Sequence, residues 1–144
     1  MTSDTEQQAP VEQIGASLIT LDKALDAHRQ WKATLQSAAA NGKTLDVATI
    51  QRDDCCDLGK WLASDGRRLY SSRPEFTNLV NKHSEFHAIA GVVAGLINGG
   101  EKDVVRSHLR GGSHFAFAST EVSVAITLLK AQVANTPDTT RDLS

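Results

Sequence analysis

Apolar residues recur at steps of three and four along three long stretches of this chain, and in two of them histidines stand where leucines would be expected. Ile14, Leu18, Leu21, Leu25, His28 and Leu35 share one face of a helix predicted over about Val11–Ala40. Phe76, Val80, His83, His87, Ala90, Ala94 and Ile97 form a second stripe. Phe115, Ala118, Val122, Ala125 or Ile126, Leu129 and Val133 form a third, on a helix predicted over about Glu101–Ala134. No strand pattern competes. The expected fold is all-α: a four-helix bundle with an additional short helix.

Local signals set the expected boundaries. Asn41-Gly42 and Asn98-Gly99-Gly100 are helix stops, because these residues tolerate the conformations of a C-terminal cap. Ser72 and Glu75 have capping-box spacing, and Pro74 suits a first helical turn. The short helix is predicted over Cys56–Leu62, with Gly66 closing it. Gly111-Gly112 falls inside the last predicted helix and reads as a kink or a close helix approach. The bundle is assigned to residues 11–135, and the polar segments 1–10 and 136–144 are expected to be disordered tails.

Composition narrows the function classes. A chain of 144 residues can bury one core without disulfides, and 40% hydrophobic content with only 5% aromatic residues suits a helical bundle. A net charge of -2 gives no reason to expect nucleic acid or an anionic membrane as partner. No apolar run reaches the roughly 18–20 residues that span a bilayer. The polar, acidic start (Ser3, Asp4, Glu6) lacks the features of a signal peptide, so a cytoplasmic location is expected. The two cysteines, Cys55 and Cys56, are adjacent, which disfavours an intrachain disulfide and favours a ligand or reactive thiol.

The histidines carry the chemistry. His83 and His87 are four residues apart, so both imidazoles leave one helical face and can chelate a single ion. His28 occupies a core-facing position on the first helix. A buried imidazole without partners costs on the order of 1–3 kcal/mol, so three of them on core stripes need an explanation. A cysteine at the start of a short helix supplies a fourth donor, favoured as thiolate by the helix dipole. Three nitrogens and one sulfur suit tetrahedral Zn²⁺, although nickel or Cu(II) accept similar donors.

Three segments taken together resemble the chemoreceptor zinc-binding (CZB) domain: Leu25-Asp26-Ala27-His28-Arg29-Gln30-Trp31, Cys56-Asp57-Leu58-Gly59-Lys60-Trp61-Leu62 and His83-Ser84-Glu85-Phe86-His87. That resemblance implies a bacterial four-helix bundle, often a homodimer, binding zinc through three histidines and one cysteine. By matching motif the implied ligands are His28, Cys56, His83 and His87. The cysteine three residues before the glycine selects Cys56 over Cys55. Trp31, Leu58, Gly59 and Trp61 match as packing positions. The neighbouring Cys55 departs from the pattern.

The resemblance further implies a signalling role, with a chemoreceptor or a diguanylate cyclase as the output partner. The input would be zinc occupancy or oxidation of Cys56, for example by hypochlorous acid. Two other readings stand beside it. A zinc hydrolase needs an open coordination position and a general base, but the His-Glu-x-x-His arrangement is absent and Glu85 projects from another helical face. A helical interaction module with purely structural zinc is the third. His108 and His114 read as ordinary histidines, Arg67-Arg68 as a solvated face, and Asp53-Asp54 as acids near a helix start.

Overall fold

The computed structural model describes residues 10–135. The expected disorder at residues 1–10 and 136–144 therefore falls, Pro10 apart, outside the described residues. Within them the chain is all-α, as its periodicity predicts, with eight helices: α1 Val11–Arg29, α2 Trp31–Asn41, α3 Val47–Ile50, α4 Asp57–Ala63, α5 Asp65–Tyr70, α6 Pro74–Asn98, α7 Lys102–Leu109 and α8 His114–Ala134.

The long helices α1, α6 and α8 form the frame. α8 packs against both α1 and α6, and α7 and α2 close one end. Leu21, Leu79, Phe86, Val93, Phe115, Val122, Ile126, Leu129 and Val133 are buried in one apolar core. The three predicted stripes are inward, but α6 buries more than its stripe. Leu79, Phe86 and Val93, spaced by seven, form a second buried strip beside the histidines.

Several boundaries differ from the sequence pattern. The first predicted helix is divided at Gln30 into α1 and α2, while its hydrogen-bond ladder continues: Gln30 N–H donates to Asp26 O at 3.2 Å and Thr34 N–H to Gln30 O at 3.0 Å. The last predicted helix is two, α7 and α8, with Gly112 at φ +83° in the connection. That conformation interrupts a right-handed helix. Ser113 then caps α8, its Oγ accepting from Ala116 N–H at 3.1 Å. Gly66 does not close the cysteine helix. It lies inside α5, packed under the Trp61 ring so closely that a Cβ would meet ring carbon at 2.6 Å. The Ser72 capping box does not form either. The residue before Pro74 is forced extended, so Arg73, at φ -91° and ψ 136°, takes the cap position without a side-chain cap.

Residues 43–55, less readable in the sequence and expected as a short helical turn and a loop, contain the short helix α3 and are fixed by specific contacts. Asp46 caps α3, accepting from Thr49 N–H at 3.3 Å. The Asn98 side chain clamps the Leu45 backbone, donating to its carbonyl and accepting from its N–H, both at 2.8 Å. α3 crosses α6 at Gly91, where a Cβ would lie 2.6 Å from Gln51 Cβ. This crossing brings the carbonyl end of α3 to the histidine strip of α6.

Candidate metal centre

His28, in the last turn of α1, is buried, and so are His83 and His87 on α6; Cys56 is partly buried at the N-cap of α4. The crossing of these elements places one donor atom from each residue within 4.8 Å of the others. Cys56 Sγ lies 3.2 Å from His83 Nε2 and 3.6 Å from His87 Nε2. Donors around a tetrahedral zinc stand about 3.3–3.6 Å apart, given bonds of about 2.0–2.1 Å to nitrogen and 2.3 Å to sulfur. The two sulfur–nitrogen contacts, at 3.2 and 3.6 Å, lie close to that spacing.

Hydrogen bonds orient two of the rings. His28 Nδ1 lies 2.8 Å from Ala24 O, and His87 Nδ1 lies 2.8 Å from Ile50 O. A carbonyl can only accept, so each Nδ1 carries the proton and each Nε2 presents a lone pair. For His28 that lone pair meets no partner: among the described residues Nε2 is the buried side-chain polar atom left without a hydrogen bond. A buried acceptor of this kind costs about 1–3 kcal/mol unless something binds it. A cation at the convergence of the four donors would satisfy it.

The electrostatics suit the same occupant. Burial, with a smaller contribution from His87, holds His28 below the ordinary imidazole range. His83 is pushed down to about 3, first by burial and then by His87 and His28. Both imidazoles are therefore neutral near pH 7, the protonation state that ligates metal. Burial raises the Cys56 thiol, although the N–H groups of Gly59 and Leu58 oppose this; Gly59 N–H points at the sulfur from 3.4 Å. A bound cation would supply the charge that the thiolate lacks.

The remaining sequence candidates stand apart. Cys55 leans towards Asp54, with Sγ 3.7 Å from its carboxylate. His108 bonds back to Val104 O at 2.9 Å, and His114 is exposed at the start of α8. Glu85 is exposed and pairs with Lys82 at 3.7 Å. Trp61 and Leu58 are buried, and Gly59 admits the Asp53 backbone at a distance no Cβ would allow. The two carbonyls that orient the rings have no side-chain signature: Ala24 O is one helical turn before His28, and Ile50 O comes from a segment without periodicity.

The family model of the chemoreceptor zinc-binding domain matches residues 28–94, a span that begins at His28 and includes Cys56, His83 and His87. Residues 28–94 thus match the chemoreceptor zinc-binding family. No curated protein and no solved structure matches the chain. The family is a zinc-binding one, and the His28, Cys56, His83 and His87 cluster is able to hold the ion.

Proposed function

We propose that this domain is a zinc-dependent sensory switch whose ligands are His28 Nε2, Cys56 Sγ, His83 Nε2 and His87 Nε2. The orphaned His28 Nε2, buried beside the other three donors, carries the reading. When bound, zinc supplies positive charge that stabilises the Cys56 thiolate and ties α1, the α4 turn and α6 together.

The switch element is α4, only 7 residues long, with the ligand at its N-cap. Without a cation, the His28 acceptor is unsatisfied and the raised Cys56 thiol stays protonated, so the tie of α4 to α6 is reduced to a weak thiol contact with His83 Nε2 at 3.2 Å. A partner that prefers one arrangement of α4 would read that difference. Oxidation is a second input. The Cys56 thiolate attacks hypochlorous acid, giving sulfenic acid and chloride, and this weakens the sulfur as a ligand. A cavity of about 590 Å³ lined by Cys56, His28 and Trp31 gives an oxidant a route to the sulfur.

A closed four-ligand shell favours sensing over hydrolysis, since Glu85 is turned outward to Lys82 and offers no general base at the cluster. The partner is proposed to be a chemoreceptor or diguanylate cyclase, the location cytoplasmic, and the assembly a homodimer. Phe117, Val124 and Leu128 support the dimer as an exposed apolar strip on the outer side of α8. Among the described residues no helix is long and apolar enough to cross a membrane. The test compares partner capture by wild type and Cys56→Ala, with zinc and with a chelator. Capture by wild type should change with zinc, and capture by Cys56→Ala should not. Zinc-independent capture by wild type removes the switch and leaves a structural zinc.

A further inference from the structure

Two of the three imidazoles have their second ring nitrogen committed, and the third does not. His28 and His87 donate Nδ1–H to the Ala24 and Ile50 carbonyls. His83, only 1% exposed, turns Nε2 to the Cys56 sulfur, and its Nδ1 has no hydrogen-bond partner among the described residues. Nor is that nitrogen sealed, because His28 Nε2 alone is both fully buried and unpartnered there. His83 Nδ1 therefore touches solvent. The cavity that His83 lines has a volume of about 400 Å³ and is shared with Asp53, Asp54, Ser71 and Thr77.

Of its two carboxylates, one is already engaged. Arg52 grips Asp54 through two hydrogen bonds, at 2.9 and 3.0 Å. Asp53 forms no ion pair or hydrogen bond among the described residues. Its position is nonetheless fixed, because its backbone carbonyl lies against Gly59, in the same turn that carries Cys56. A histidine that ligates a metal donates its other N–H to a carboxylate, carbonyl or water, which sets the tautomer and strengthens the ligand.

We infer that Asp53 is the positioning residue of His83, accepting Nδ1–H through one water in this cavity and so holding Nε2 towards the metal. This rests on the zinc reading proposed above. It makes the loop before Cys56 part of the centre, so displacement of Asp53 would loosen a ligand on α6 as well as the cysteine turn.

The test is zinc affinity of the full chain by chelator competition, together with the exchange rate of each imidazole Nδ1–H in nitrogen-15 spectra of the zinc form. Asp53→Ala should weaken zinc about 10–100-fold. Asp53→Asn, which keeps an acceptor oxygen, should recover part of that loss, and Asp54→Ala should change affinity less than about twofold. In Asp53→Ala the His83 Nδ1–H should exchange faster while those of His28 and His87 hold. If Asp53→Ala does not fold, Asp53→Asn carries the test, with a few-fold loss and faster exchange at His83 alone. Unchanged affinity in the Asp53 variants, an equal loss in Asp54→Ala, or equal changes at all three rings would overturn the inference while zinc binding by wild type stands. Wild type that holds no zinc overturns the functional reading and this inference with it.

Discussion

Along α6, two neighbouring strips are buried in different ways. Leu79, Phe86 and Val93 join the apolar core, where Phe86 meets Phe115 with ring centroids 5.6 Å apart. His87, one residue after Phe86, and His83, three residues before it, face His28 and Cys56, with the His83 and His87 centroids 4.5 Å apart. The first strip is complete as it stands, since apolar contacts need no further partner. The second carries two imidazoles and faces a third, with an unsatisfied acceptor, and a thiol whose ionisation burial opposes. One helix thus provides a constitutive seam and a conditional one. Folding can rest on the former while signalling acts on the latter.

That division predicts separable mutations. Leu129→Ala, at a fully buried site of α8 away from the cluster, should cost about 2–5 kcal/mol in urea unfolding, with or without zinc. Its zinc affinity should stay near that of wild type. Wild type should gain about 4 kcal/mol when free zinc reaches 1,000 times its dissociation constant. His83→Ala should lose that gain while keeping most of its metal-free stability. A His83→Ala protein still stabilised by zinc would show that the conditional seam lies elsewhere.

Acid should also separate the two strips. The folded pKa of His83 is about 3, below the ordinary 6.5, and that of His28 is also lowered by burial. Between those values the unfolded chain takes up protons that the folded chain refuses, so this contribution is complete above about pH 6.5 and declines as pH falls towards 3. Urea midpoints of the metal-free protein across this range should fall faster for wild type than for a His83→Leu variant. Parallel curves would contradict the neutral buried imidazole. At the small end, Ser113→Ala removes the cap of α8 and should cost about 1 kcal/mol, leaving zinc affinity unchanged.

How far the sequence reveals each region obeys the same physical division. Periodicity reports burial on regular helices, so the inward positions of Leu21, His28, His87, Ile126 and Val133 are legible. It cannot report a second buried face, and Leu79, Phe86 and Val93 escape because the histidine stripe alone accounts for α6. Backbone events leave weaker signals. Nothing at Gln30 announces the division of the first helix, since its conformation stays right-handed, at φ -87° and ψ -9°. Gly111-Gly112 marks the right place, but whether it kinks or breaks a helix depends on Ser113 capping α8. Gly66 misleads as a helix stop because its smallness accommodates the Trp61 ring, a tertiary demand. In the centre, side-chain donors can be named from spacing and from resemblance to a family, whereas the Ala24 and Ile50 carbonyls that aim the rings carry no residue identity. Asp53 reads in the sequence as an ordinary helix-start acid; only the cavity and the Arg52–Asp54 pair show which carboxylate is uncommitted.

X-ray absorption at the zinc edge, on wild type and Cys56→Ala, tests the convergence of α1, the α4 turn and α6 most directly. The predicted wild-type shell is one sulfur at about 2.3 Å and three nitrogens at about 2.0–2.1 Å, with the sulfur lost in the variant. A wild-type shell of light atoms only, or a sulfur that survives Cys56→Ala, would contradict it.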